Sequence, residues 1–133
     1  MSVEEISILI VDDDETDLTG VTESLASLGF RLTTLQDPRQ VLQRVQSDRP
    51  DLVLLDALLP GLSGFDLCKQ IKDMPGGQAT PVVILTGVFL KDQHRHEALH
   101  QFEADGFLTK PHSSWELQRL VLRLLSGKVD KQQ

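Results

Sequence analysis

Residues 6–14 read Ile-Ser-Ile-Leu-Ile-Val-Asp-Asp-Asp, a short apolar run that ends abruptly in three carboxylates. A run this rich in β-branched residues suits a strand buried on both faces, and such strands occur in parallel sheets covered by helices. Four further runs follow: 30–35, 52–55, 82–85 and 107–109. The first, third and fourth runs are nearly continuous in Ile, Val and Leu, which predicts central strands. The second and fifth are more polar and suit less buried positions.

Helical periodicity fills the gaps between the runs. Leu18, Val21, Leu25 and Leu28 form a stripe that closes at Gly29, and Asp37-Pro38 starts a second helix whose Val41, Leu42 and Val45 face inward until Pro50. A third helix is predicted over 64–74, burying Phe65, Cys68 and Ile71 before Pro75-Gly76-Gly77. A fourth rests on Leu99 and Phe102. The last starts at Ser113 or Ser114 and buries Leu117, Leu120, Val121, Leu124 and Leu125 up to Gly127. Strands alternating with helices predict a doubly wound α/β domain over 1–127, and 128–133 reads as a polar tail or the start of a linker.

Composition narrows the function. Thirteen Lys+Arg against twenty Asp+Glu leave a formal charge of -7, which disfavours direct nucleic-acid binding. Glu4 and Glu5 stand where a signal peptide would carry positive charge, and 6–11 is too short to span a bilayer. With Cys68 the single cysteine, the expected setting is a reducing cytoplasm, with no membrane anchor.

Polar residues cluster at the strand ends: Asp12 and Asp13 after Val11, Asp56 after Leu55, Thr86 after Leu85 and Lys110 after Thr109. Parallel sheets bind ligands outside the carboxyl ends of their strands, so these residues are expected in one pocket. Each taken singly is commoner as a turn, cap or surface residue; together they form a pattern. Crowded carboxylates call for a hard divalent cation, and Mg²⁺ with its oxygen ligands fits. Asp56, alone on its strand, is the natural nucleophile, with Asp12 and Asp13 holding the metal and Lys110 and Thr86 meeting new negative charge. Gly87 leaves room beside Thr86.

Four segments resemble the receiver domain of two-component response regulators: Ile-Leu-Ile-Val-Asp-Asp-Asp at 8–14, Asp-Leu-Val-Leu-Leu-Asp-Ala-Leu-Leu-Pro-Gly-Leu-Ser-Gly at 51–64, Pro-Val-Val-Ile-Leu-Thr-Gly at 81–87 and Phe-Leu-Thr-Lys-Pro at 107–111. The resemblance runs from about Ile6 to Leu125. It implies a flavodoxin-like strand order 2-1-3-4-5 and phosphorylation of Asp56 by a histidine kinase or phosphotransfer protein. Mg²⁺ would be held by Asp13, Asp56 and the Leu58 carbonyl, with Asp12 acting mainly through water. Such a domain catalyses only its own phosphorylation and dephosphorylation. The resemblance further implies a cis Lys110-Pro111 bond and a switch in which Thr86 moves toward the phosphoryl group and Phe107 turns inward. That movement would reshape the surface of the fourth helix, fifth strand and fifth helix, which controls an output domain or partner. Leu58 and Val88 would cover the phosphoryl group. Phe107 replaces a common Tyr, His112 a common Phe, and Gly106 an Asp found at the dimer face of the winged-helix branch.

Two other readings are open to the sequence. His96-Glu97-Ala98-Leu99-His100 matches the H-E-x-x-H pattern of zinc proteases, but Glu103 and Gly106 stand where the extended motif needs Gly and His. Incidental metal binding by His96 and His100 fits that segment better than catalysis. A pseudo-receiver that docks without phosphorylation would ordinarily lack the acceptor or the lysine, and both are present.

Overall fold

The computed structural model describes residues 2–87, 96 and 99–128. Strands β1 (Ser7–Val11), β2 (Arg31–Leu35), β3 (Leu52–Asp56), β6 (Val82–Thr86) and β7 (Gly106–Thr109) form one parallel sheet in the order β2-β1-β3-β6-β7. Strands β4 (Leu58–Leu59) and β5 (Leu62–Ser63) pair as a small antiparallel hairpin directly after β3. With that hairpin set aside, the sheet has the expected flavodoxin-like order 2-1-3-4-5. The polar second and fifth runs lie at its edges.

Helices α1 (Glu15–Ala26), α2 (Val41–Asp48), α3 (Gly64–Asp73) and α4 (Ser114–Leu124) cover both faces. On one face Leu18, Val21 and Leu25 of α1 and Leu117 and Val121 of α4 pack on Ile8, Ile10, Leu52 and Leu54. On the other, Val41 and Val45 of α2 and Leu67, Cys68 and Ile71 of α3 pack on Leu9, Val11, Val53 and Leu55. Alternate strand residues supply the two cores because strand side chains point to opposite faces with a period of two.

Local chemistry sets the helix starts. Asp14, Ser63 and Ser113 each accept a backbone N–H of the first turn, from Asp17, Phe65 and Glu116. The second helix differs from its sequence reading: Asp37 caps a single 3₁₀ turn (Pro38–Gln40), and α2 begins only at Val41. Val88, expected to cover the phosphoryl group, and Glu97 and Ala98 of the predicted fourth helix lie outside the described residues. Within that segment, His96 and residues 99–101 are helical. Leu99 is exposed, whereas Phe102 packs on Phe65 with ring centroids 5.5 Å apart.

One charge is buried that periodicity did not suggest. Lys72, 3% exposed, donates from Nζ to the Thr80 carbonyl and to Asp105 Oδ2, both at 2.7 Å. Asp105 also accepts the Val82 N–H at 2.8 Å. This group ties the end of α3 to the starts of β6 and β7. Beside it, Lys69 pairs with Glu103 at 3.2 Å and the Cys68 thiol donates to the Phe102 carbonyl. Burial pushes that thiol up to about 12, as a small core residue requires.

Removing one partner of a buried pair leaves a charge uncompensated, a loss of ~3–5 kcal/mol when both are fully enclosed. Asp105 is partly exposed, so Asp105→Ala should cost about 2–3 kcal/mol. Lys72→Met should cost less, because Asp105 then keeps the Val82 N–H and reaches solvent. Urea midpoints at unchanged slope measure both. A larger loss in Lys72→Met would reverse the assignment of which partner depends on the other.

Candidate functional site

The carboxyl ends of β1, β3, β6 and β7 bring together the residues that the sequence singled out. Asp12 and Asp13 follow β1, Asp56 closes β3, Thr86 closes β6 and Lys110 follows β7. Carboxylate oxygens of Asp12, Asp13 and Asp56 all lie within 4.8 Å of one another, and they are the one such metal-ligating trio among the described residues.

Each carboxylate is placed differently. Asp12 is buried; one oxygen accepts the Asp14 N–H at 2.9 Å and the other accepts Lys110 Nζ at 2.9 Å. Asp13 is exposed and Asp56 intermediate, with 13% of its side chain accessible. The Leu58 N–H donates to Asp56 Oδ1 at 3.3 Å. A Cβ at Gly64 would collide with the Asp56 main-chain oxygen, so only glycine lets the start of α3 close over this loop. The Gly64 N–H donates to the Ala57 carbonyl at 2.9 Å, which holds the turn after β3.

Lys110 reaches the cluster from the far side of the sheet's carboxyl edge. Besides Asp12 it bonds Asp17 of α1 at 2.9 Å, and it lies 3.8 Å from Asp56. Burial works against its ammonium, but the bonds to Asp12 and Asp17 outweigh it and hold its pKa above the ordinary lysine value. Asp17 as a lysine partner was not legible in the sequence, where it was one more acid in a crowded segment. The Lys110-Pro111 peptide is cis.

Thr86 is buried, and its residue pairs in register with Thr109. Gly87 borders open space. Phe107 is half-buried against the α2/α3 core and stacks on Phe65 with centroids 6.2 Å apart. The Leu58 side chain is 66% exposed. Beside the carboxylates a groove of about 530 Å³ runs between α1 and α4, reaching the cluster through Asp17 and Lys110.

Residues 8–122 match the family model of the response regulator receiver domain. The chain belongs to that family. It is 33% identical over 119 residues to the alkaline phosphatase synthesis transcriptional regulatory protein PhoP of Bacillus subtilis, covering 89% of this chain but 48% of that regulator. The chain thus spans about half that relative's length. Among solved structures, the receiver domain of the sensor histidine kinase PA1611 of Pseudomonas aeruginosa, with magnesium coordinated in its active-site cleft, superposes with a TM-score of 0.81 at 31% identity. The match covers 91% of this chain and 98% of that one. The beryllofluoride-activated DrrB receiver domain superposes at 0.80 with 30% identity, over 95% and 99%. Receiver domains are signalling modules of two-component systems. The zinc-protease reading gains no support from the family, nor from a third ligand for His96 and His100 among the described residues.

Metal-free electrostatics single out Asp56. Burial first, and the negative charge of Asp12 second, push its carboxyl up to about 6, against the opposing pull of Lys110. An unfolded Asp titrates near ~3.9, so between that pH and about 6 the folded chain binds the extra proton. The stability owed to this group is therefore complete below ~4 and is lost as pH rises through about 6. In metal-free protein, carboxyl ¹³C shifts should show Asp56 titrating near pH 6, and lower in Asp12→Asn. The stability difference between wild type and Asp56→Asn should fall over the same window.

Proposed function

We propose that this chain is a phosphorylation switch in which Asp56 accepts a phosphoryl group from the phosphohistidine of a sensor kinase or phosphotransfer protein. The observation that carries the reading is the convergence of Asp12, Asp13 and Asp56 with Lys110 at one end of the sheet.

The donor set suits Mg²⁺. An octahedral ion with oxygens at ~2.0–2.1 Å places its ligand atoms roughly 2.9–4.2 Å apart, close to the carboxylate spacing found here, and all three donors are hard oxygens. Asp13 and Asp56 would hold the ion with the Leu58 carbonyl, and buried Asp12 would act through water. Bound there, Mg²⁺ supplies charge neutralisation for the carboxylates and for phosphoryl oxygens.

The chain's own groups carry the remaining roles. An Asp56 oxygen attacks phosphorus as the bond to the donor nitrogen breaks; that nitrogen keeps the electron pair and leaves as a neutral imidazole. Lys110, already 3.8 Å from Asp56, meets the charge of the acyl phosphate, and the Thr86 hydroxyl bonds a phosphoryl oxygen. Movement of Thr86 releases Phe107 to repack, which alters the β7 and α4 surface read by an output domain or partner. In this reading the receiver occupies 1–127, residues 128–133 are a polar tail or the start of a linker, and the protein works in the cytoplasm. No described helix is long and apolar enough to cross a membrane. The acceptor and lysine are both in place, which favours this reading over a docking module without phosphorylation.

A small acyl-phosphate donor with Mg²⁺ should add one phosphoryl group per chain by intact mass, and Asp56→Asn should add none, because an amide is a far poorer nucleophile. Asp13→Asn should weaken Mg²⁺ binding at least tenfold. Since the ion needs ionised Asp56, Mg²⁺ affinity should fall as pH drops through about 6. Undiminished phosphorylation of Asp56→Asn would overturn the proposal.

A further inference from the structure

His96 and His100 stand four residues apart on helical backbone, both exposed, with imidazole centroids 4.2 Å apart and ring planes tilted by 49°. Residues at i and i+4 share a helix face, so the two rings lie one above the other on successive turns. Phosphoryl transfer uses neither. Two imidazoles that ligate one ion at ~2.0–2.1 Å need their ligating nitrogens only about 3 Å apart, which rings at this spacing reach by rotating their side-chain torsions.

We propose that His96 and His100 form a second metal site, a two-imidazole chelate for a borderline divalent transition metal, separate from the acidic Mg²⁺ site. The ligand chemistry separates the two. Imidazole suits Cu²⁺, Ni²⁺ and Zn²⁺, while a carboxylate trio suits Mg²⁺. Among the described residues no third metal-ligating side chain joins the pair. Affinity should follow Cu²⁺ above Ni²⁺ and Zn²⁺. Chelation needs both rings on consecutive helical turns, so the ion binds the helical form and stabilises it by mass action. Two and three residues beyond His100 stand Phe102 and Glu103, which α3 holds through Phe65, Cys68 and Lys69. The site therefore acts on the stretch of chain that leads into β7.

The test uses the untagged full chain with excess Mg²⁺ present. Calorimetric titration with Ni²⁺ should give one equivalent bound, with affinity at least tenfold weaker in His96→Gln and in His100→Gln and unchanged in Asp13→Asn and His94→Gln. Electron paramagnetic resonance of the Cu²⁺ form should show two imidazole nitrogens, and one in either single variant. Both residues are exposed, so circular dichroism should report an unaltered fold in the variants. Ni²⁺ affinity that ignores His96→Gln or His100→Gln, or that vanishes in Asp13→Asn or His94→Gln, would overturn the assignment. Phosphorylation of Asp56 is read separately, so either result leaves the two proposals distinguishable.

Discussion

Three carboxylates within 4.8 Å of one another repel, and one ammonium holds them in place. Two unit charges at 4 Å interact by about 4 kcal/mol at an effective dielectric near 20, so the cluster would spread without compensation. Lys110 supplies part of it, bonding Asp12 and Asp17 and approaching Asp56. The compensation is incomplete: burial first, and the charge of Asp12 second, keep the Asp56 carboxyl raised against the pull of Lys110. A site in this condition favours added positive charge, and only with that charge bound does it favour an anion that Lys110 can share. In the proposed reading the same electrostatics underlies both metal affinity and phosphoryl acceptance.

The sheet makes this concentration of charge possible. Its central strands β1, β3 and β6 are buried on both faces, so polar side chains are displaced to the strand ends, where backbone twist and the crossover helices leave a crevice. Gly64 lets the loop after Asp56 fold back without a steric clash, and the small β4-β5 hairpin shapes the same loop. At the opposite end, the Lys72-Asp105 pair and its neighbours fasten α3 to the entry of β7. The strand that carries Phe107 and leads to Lys110 is consequently anchored at its start and answers to the charge cluster at its finish. Phe107 lies between these two ends, stacked on Phe65, the position that the proposed switch would use to convert a change at the site into a change of surface.

Much of this was legible in the sequence because it is written locally. Apolar runs of three to six residues, caps at Asp37 and Ser113, and breakers such as Gly29, Pro50 and Gly127 all depend on neighbours along the chain. Polar residues placed directly after apolar runs located the pocket as well, since a parallel sheet aligns all its carboxyl ends. Less legible were features with no local pattern. Lys72 sits on the buried side of α3, yet lysine is ordinarily a surface residue, and the Thr80 carbonyl together with a carboxylate 33 positions away makes its burial tolerable.

By itself, then, the sequence determined the strand and helix alternation, which strands are central, and which side chains stand at the strand ends. Tertiary structure alone decided how those ends are electrically joined. Lys110 meets Asp12 across 98 positions and Asp17 across 93. Those distances close only when α1 packs on the sheet beside β7's exit and the strand order sets β1 next to β3. The reason is physical: periodicity and capping are settled within a turn or two of chain, whereas the pairing and protonation of a buried charge depend on the dielectric and the partners that the whole fold assembles around it.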